Sequence, residues 1–170
     1  LGGIVTNSSI RTAGDELTEA IQDYMGSQHN VKVSERMAER IKIHVGEALT
    51  DLGDEAPDDW VVNGPNKITA LPMKVPVCYQ EIAQCLDRTI RLIENAVHNA
   101  LEHTPQELYA DLMVNGIWLT GGGALLRGLD RRLEAKFQIP FHVAPDPLRS
   151  VAKGAGKALK NIDRFTFLMR

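Results

Sequence analysis

Aromatic side chains are scarce in this sequence. Two Trp, three Tyr and four Phe are spread over 170 residues, and none forms a spaced stacking platform of the kind that binds single-stranded nucleic acid. Neither sign of charge dominates: 19 Lys and Arg stand against 22 Asp and Glu, a formal net charge of −3. No basic field therefore draws nucleic acid or anionic lipid to the whole surface. No apolar run approaches the roughly 18 residues of a membrane span, and no charged-then-apolar leader stands at Leu1, so the cytoplasm is the expected compartment. The only two cysteines, Cys78 and Cys85, fall on one expected helix about 10 Å apart at ~1.5 Å rise per residue. That is beyond disulfide reach, and they are expected as core thiols. No partner at ligand spacing joins them, and His29, His44, His98, His103 and His142 form no HExxH pattern, so no metal site is expected. An initiating methionine is also missing, and the opening Leu1-Gly2-Gly3-Ile4-Val5 reads as part of a longer protein.

What is present is an ordinary folded composition, 44% hydrophobic and 24% charged, enough for one domain or for a large and a small lobe. Ile4-Val5 reads as a strand end. A helix opens at Gly14-Asp15 with Leu17, Ala20, Ile21, Tyr24 and Met25 on one face. Ser34 is a good cap for a second helix with Met37, Ile41, Val45, Ala48 and Leu52 inward. Asp51 to Asp59 is an acidic loop without calcium-loop spacing. Trp60-Val61-Val62 and Ile68 to Val77 read as a hairpin turning at Asn63-Gly64-Pro65-Asn66, with Pro72 and Pro76 confining it to edges or strand ends. The longest helix runs from Cys78 to about Glu102, and a short one follows Thr104-Pro105, with Thr as its cap.

The last third alternates differently. Gly116 to Thr120 suits a strand covered on both faces. A glycine turn follows, then a helix through Phe137 with Leu125, Leu126, Leu129 and Leu133 inward, a strand at Pro140 to Val143, and a final helix from Leu148 to Ile162. Strand, helix, strand, helix predicts an α/β part with parallel pairing.

The sharpest chemical feature is Gly121-Gly122-Gly123 between strand and helix. Three glycines allow a tight turn, and free amides at the following helix start favour an anion or polar ligand. A tight connection needed for close packing explains the same residues. The dinucleotide fingerprint fails at Leu126, and a P-loop fails because Ala158 follows Gly156-Lys157 and Val151 occupies its first glycine. Gly154-Ala155-Gly156 instead suggests a helix lying close to a neighbour. On the second helix Glu39 and Lys42 share a polar flank. That carboxylate can accept two ribose hydroxyls while the lysine stem lies against a base, or the pair is an ordinary surface salt bridge. No nucleophile–base–acid set is visible.

Taken together, Leu1 to Val5, Ser9 to Glu16, Ser34 to Ile43, Leu119 to Asp130 and Asp146 to Gly156 resemble the MreB family of bacterial actins over almost the whole chain. The resemblance implies an α/β, actin-like ATPase (ribonuclease H-like) fold, second lobe only, with an inserted smaller α+β subdomain. Residues 1–10 and 77–170 would form the ribonuclease H-like subdomain, and 11–76 the insert, used for filament contacts. It implies ATP as ligand, with Gly121, Gly122, Gly123 and Ala124 at the adenosine, Leu125 beside the base, and Glu39, Arg40, Ile41 and Lys42 at ribose and adenine. In the family both phosphate loops, the catalytic acid and most Mg2+ contacts precede the position of Leu1, as do the membrane-contacting segments. The chain alone is therefore expected not to hydrolyse ATP and to bind it weakly at best.

The implied role is filament formation that sets rod shape by organising cell-wall peptidoglycan synthesis at the inner face of the membrane. The implied partners are further copies of itself, MreC, MreD and RodZ. His44, in place of the family's usual acidic residue, and the acidic loop ending at Trp60 depart from the pattern. A non-polymerising chaperone or sugar kinase on the same fold is the alternative. Heat-shock relatives carry Ser-Thr-Arg after two glycines, where this chain has Gly123-Ala124-Leu125. An interaction module that no longer binds nucleotide is a third possibility.

Overall fold

A computed structural model describes residues 3–161. Helix α1 (Gly14–Gln28) starts with the Glu16 carboxylate accepting from the Ala13 amide at 2.7 Å. Helix α2 (Glu35–Val45) starts with the Ser34 hydroxyl accepting from the Met37 amide, as its sequence predicts. It stops sooner than expected: Gly46 is extended, and Ala48 reaches the core from beyond the helix end. The acidic loop holds one 3-10 turn, Gly53–Glu55.

Strands β1 (Trp60–Pro65) and β2 (Pro72–Val77) form an antiparallel hairpin with Trp60 opposite Val77 and Pro65 opposite Pro72. The turn lies at residues 66–71 instead of Asn63 to Asn66. Asn66 Oδ1 accepts from the amides of Ile68 (2.8 Å) and Thr69 (2.9 Å), and Ala70 takes a left-handed conformation, φ 59°. Gly64 serves a different need: a Cβ there would lie 2.7 Å from Val31 Cγ1 and 2.9 Å from the Lys32 carbonyl, so it lets that segment run against β1.

Helix α3 (Tyr79–Glu102) has 24 residues, about 36 Å, and begins with Glu81 accepting from the Cys78 amide at 2.8 Å. Glu81 also accepts from the Tyr24 hydroxyl and pairs with His29, tying α1 to α3. Burial and the adjacent Glu81 carboxylate push the Tyr24 phenol up to about 12. The cysteines are half-buried instead of fully in the core. Cys85 Sγ donates to the Ala20 carbonyl, and burial pushes the thiol up to about 11. Thr104 closes α3, its hydroxyl donating to the Ala100 carbonyl, and does not cap the next element; a 3-10 turn at Gln106–Leu108 leads into α4 (Tyr109–Asn115).

Strands β3 (Ile117–Leu119) and β4 (Phe141–Val143) pair in parallel with Trp118 opposite His142, as predicted. The sheet is not covered on both faces, since Trp118 is 59% exposed. No strand forms at Ile4-Val5, where both side chains are exposed. Helix α5 (Leu129–Phe137) lies between β3 and β4 in the chain. A 3-10 turn, Pro147–Arg149, precedes α6 (Ser150–Lys160). The expected end of α6 at Ile162 lies outside the described residues. Gly154 and Gly156 do not serve close packing here: a Cβ at either meets nothing within 4 Å, and no residue of α6 is buried.

The core is one continuous cluster. Leu17, Ile21 and Met25 of α1, Ile41 and Val45 of α2, and Ile82, Leu86 and Ile90 of α3 meet under Val62, Val75 and Val77 of the hairpin, with Leu129, Leu133 and Phe141 adjoining. One charged seam holds α5 to this body. Arg132 donates to Glu94 (2.6 Å), Asp87 (2.7 Å) and the Ala48 carbonyl (3.0 Å), and Lys136 donates to Glu94 at 2.5 Å. Burial pushes the Glu94 carboxyl up, but its hydrogen bonds to Lys136 and Arg132 outweigh that and hold it below the usual carboxylate range.

Candidate functional site

The glycine turn leaves β3 through Gly121, whose φ of 82° is a conformation that side-chain-bearing residues rarely adopt. Its amide donates to the Pro147 carbonyl at 2.9 Å, which sets the turn against the start of the α6 segment. The expected helix does not begin here. Gly122–Leu125 makes a single 3-10 turn, Leu126 is extended and buried, and Gly128 in the left-handed region redirects the chain into α5. The amides of α5 are thus not those of the triple glycine, and any anion would meet the 3-10 turn.

The space around the glycines bears on the packing explanation. A Cβ at Gly121 or Gly123 meets nothing within 4 Å, and at Gly122 it meets only Leu148 Cδ2, at an ordinary 3.6 Å. Internal packing therefore does not require glycine at positions 122 and 123; the bare backbone faces outward. Leu125 also faces outward, 53% exposed, where inward burial was expected, while Ala124 is buried.

On α2, Glu39 and Lys42 pair at 2.5 Å, and the pair is not a free surface salt bridge. Glu39 accepts from the Thr18 hydroxyl at 2.8 Å, and Lys42 Nζ donates to the Gly14 carbonyl and to Thr18 Oγ1, both at 2.9 Å. Burial raises the Glu39 carboxyl, but hydrogen bonds from Lys42 and Thr18 bring it below its ordinary value. It is ionised at neutral pH and remains an acceptor. The Glu39 side chain is 46% exposed and that of Lys42 14%. Ile41 is wholly buried and anchors the helix. Arg40 lies over the Trp60 ring, 5.4 Å from its centroid, and His44 stacks on the same ring at 4.4 Å. The two residues that depart from the family pattern thus occupy one surface stack with Arg40.

The two halves of the site meet through residues that sequence reasoning did not select. The Ala48 amide donates to the Arg127 carbonyl at 2.8 Å, within a parallel bridge between Glu47 and Arg127. The Arg127 guanidinium donates back to the carbonyls of Ile43 (3.2 Å) and His44 at the end of α2. Glu47 is buried at this joint. Its Oε1 accepts from the Ala48 amide at 3.1 Å, and its Oε2 has no partner among the described residues. Burial raises its carboxyl, and the neighbouring amides and arginines offset that only in part. A Cβ on Gly128 would overlap Glu47 Oε1. Nothing in spacing or composition marks Glu47 or Arg127. Thr18 and Gly14 were legible only as ordinary α1 residues.

Residues 1–166 match the family described as MreB/Mbl protein. The chain belongs to the MreB/Mbl family. It is 39% identical over 164 residues to the cell shape-determining protein Mbl of Bacillus cereus, covering 96% of this chain and 48% of that one. To the cell shape-determining protein MreB of Escherichia coli it is 43% identical over 163 residues, 96% and 46%. MreB5 of Spiroplasma citri bound to AMPPNP superimposes with a TM-score of 0.88 at 32% identity, over 96% of this chain and 48% of that one. The chain thus spans about half the length of these MreB/Mbl relatives, and its mixed α/β architecture is a fragment of the actin-like fold. Among the described residues no helix is long and apolar enough to cross a membrane, and no three of His, Cys, Asp or Glu gather as a metal set.

Proposed function

We propose that this chain is the nucleotide-binding second lobe of an ATP-dependent, filament-forming protein that determines cell shape. The observation that carries this is the glycine turn. Gly122 and Gly123 present bare backbone to the outside, though the chain's own packing leaves room for a side chain at both, and a closely approaching ligand accounts for them. The MreB5 structures bound to AMPPNP and to ADP support nucleotide as that ligand.

In this assignment the backbone of Gly121, Gly122, Gly123 and Ala124 lies along the adenosine, and exposed Leu125 offers an apolar face to the base. Glu39, ionised and half-exposed, accepts the ribose hydroxyls, and the Lys42 stem borders the base while its ammonium stays on Gly14 and Thr18. Arg40 and Ile41 position α2, one through Trp60 and the other through the core. ATP supplies the phosphoanhydride whose cleavage alters the filament. The phosphates and Mg2+ are assigned to protein outside this chain. Residues 1–10 and 77–170 form the ribonuclease H-like subdomain and 11–76 the insert that carries longitudinal contacts. Partners are further copies, then MreC, MreD and RodZ, at the inner face of the membrane where peptidoglycan synthesis is organised.

The test is calorimetric titration of the 170-residue chain with ATP, beside Gly122→Val. Weak, saturable binding is expected for the first, since the phosphate contacts lie outside this chain, and a further loss of about tenfold or more for the second. Unchanged circular dichroism of Gly122→Val is expected because only Leu148 lies near the new side chain. Equal affinity of the two proteins refutes the site. Joined to the half that precedes it in MreB/Mbl proteins, the chain should pellet in an ATP-dependent manner, whereas alone it should show no ATP turnover.

A further inference from the structure

We infer that Arg127 is a positioning residue: it sets the spacing between the two halves of the nucleotide site by capping α2 from the far side of the glycine turn. The inference rests on the nucleotide assignment above. The last carbonyls of a helix have no partner within it, and a cation there also meets the negative end of the helix dipole. Gly46 takes the Lys42 carbonyl, its amide donating at 3.0 Å, and the Arg127 guanidinium takes those of Ile43 and His44. Both contacts come from one terminal nitrogen, Nη2, whose two N–H groups lie fixed in the guanidinium plane, a geometry that a freely rotating lysine ammonium does not impose.

Both ends of this contact lie close to the residues assigned to the ligand, with only short, hydrogen-bonded chain in between. On one side Ile43 follows Lys42 directly and lies four helical residues after Glu39. On the other, only Leu126 separates Arg127 from Leu125. Leu126 is buried and its amide donates to the Gly123 carbonyl at 3.1 Å. The backbone at Arg127 is held independently by Ala48, and the Ala48 carbonyl by Arg132. The guanidinium itself lies at the surface. Removing it opens no core and leaves the Ala48–Arg127 backbone bond in place, but it uncaps the Ile43 and His44 carbonyls and so loosens the last turn of α2 against the glycine turn. A ligand that must touch both halves then spends binding energy on bringing them into register.

The experiment is an ATP titration of the 170-residue chain followed by backbone amide resonances, for the parent chain, Arg127→Ala and Arg127→Lys. In the parent chain the amides of Glu39 to Lys42 and of Gly121 to Leu125 should shift together with one dissociation constant. In Arg127→Ala the affinity should fall about fivefold or more and the shifts at Glu39 to Lys42 should shrink relative to those at Gly121 to Leu125. Arg127→Lys should recover part of both effects. A merely structural role would lower stability and leave the two sets of shifts coupled. If Arg127→Ala does not fold, Arg127→Lys carries the test, with weakened and partly uncoupled binding expected. Parent-like affinity with coupled shifts in the folded variants overturns the inference alone, whereas no ATP-dependent shift in the parent chain overturns the nucleotide assignment and the inference with it.

Discussion

Helices α1 to α3 and helix α6 carry the same sequence signal and come to different ends. In α1 and α3 the apolar residues recur at helical spacing, and the chain covers them itself: Leu17, Ile21 and Met25, like Ile82, Leu86 and Ile90, are at most 2% exposed. In α6, Val151, Ala155 and Leu159 recur every four residues, yet Val151 is 76% and Leu159 74% exposed. Periodicity states which face of a helix is apolar and is silent on what covers it. The glycine turn lies where these two regimes meet, with Ala124 and Leu126 in the core and Leu125 and Leu148 facing out.

The largest effect expected from that contrast is on the closed side. Ile82→Ala removes a fully buried side chain from the packing of α3 on α1 and should cost about 3–4 kcal/mol, read from the urea midpoint. A loss under 1 kcal/mol would mean that the sealed core contributes little and the contrast is false.

The charged seam that ties α5 to α3 on the closed side comes next. Glu94→Gln keeps the shape but removes the charge that Arg132 and Lys136 share, for a loss of about 2 kcal/mol at neutral pH. The value is set below that of a fully buried pair because Lys136 is 43% exposed and screened. The Glu94 carboxyl lies below its ordinary value in the fold. Its contribution is therefore complete above the unfolded value of about 4.3 and is lost as pH falls through the folded value. The gap between the two proteins should close in acid, and a gap that is constant with pH would assign the loss to packing instead of charge.

The same contrast explains how much was legible beforehand. Helices α1 to α3 could be read because a 3.6-residue period, and for α2 the Ser34 cap, are local facts. The hairpin could be read but its turn could not, because Gly64 looks like a turn residue and is glycine for the sake of Val31, 33 positions earlier. Ala70 holds a left-handed turn with no sequence mark. The joint at Glu47 and Arg127 links residues 80 positions apart through backbone carbonyls, which leave no trace in side-chain spacing. The glycine turn was visible as chemistry, but that packing within this chain does not demand glycine at positions 122 and 123 could be seen only from the space around them.

The smallest effect tests the open side directly. Gly154 and Gly156 sit inside α6 with ordinary helical backbone, and a Cβ on either meets nothing. Glycine is about 1 kcal/mol worse than alanine in a helix interior, largely through the freedom it keeps in the unfolded chain. Gly154→Ala should therefore stabilise α6 by about 0.5–1 kcal/mol. The readout is hydrogen exchange of the α6 amides, because a helix with no buried residue can open without unfolding the core. In that case protection rises in α6 while Ile82 and its neighbours are unaffected. Small residues that instead admit a close neighbour, such as a second copy of the chain, would make the added methyl collide, and protection in α6 would fall. The sign of one methyl group thus separates a helix face that is open in solution from one that is covered.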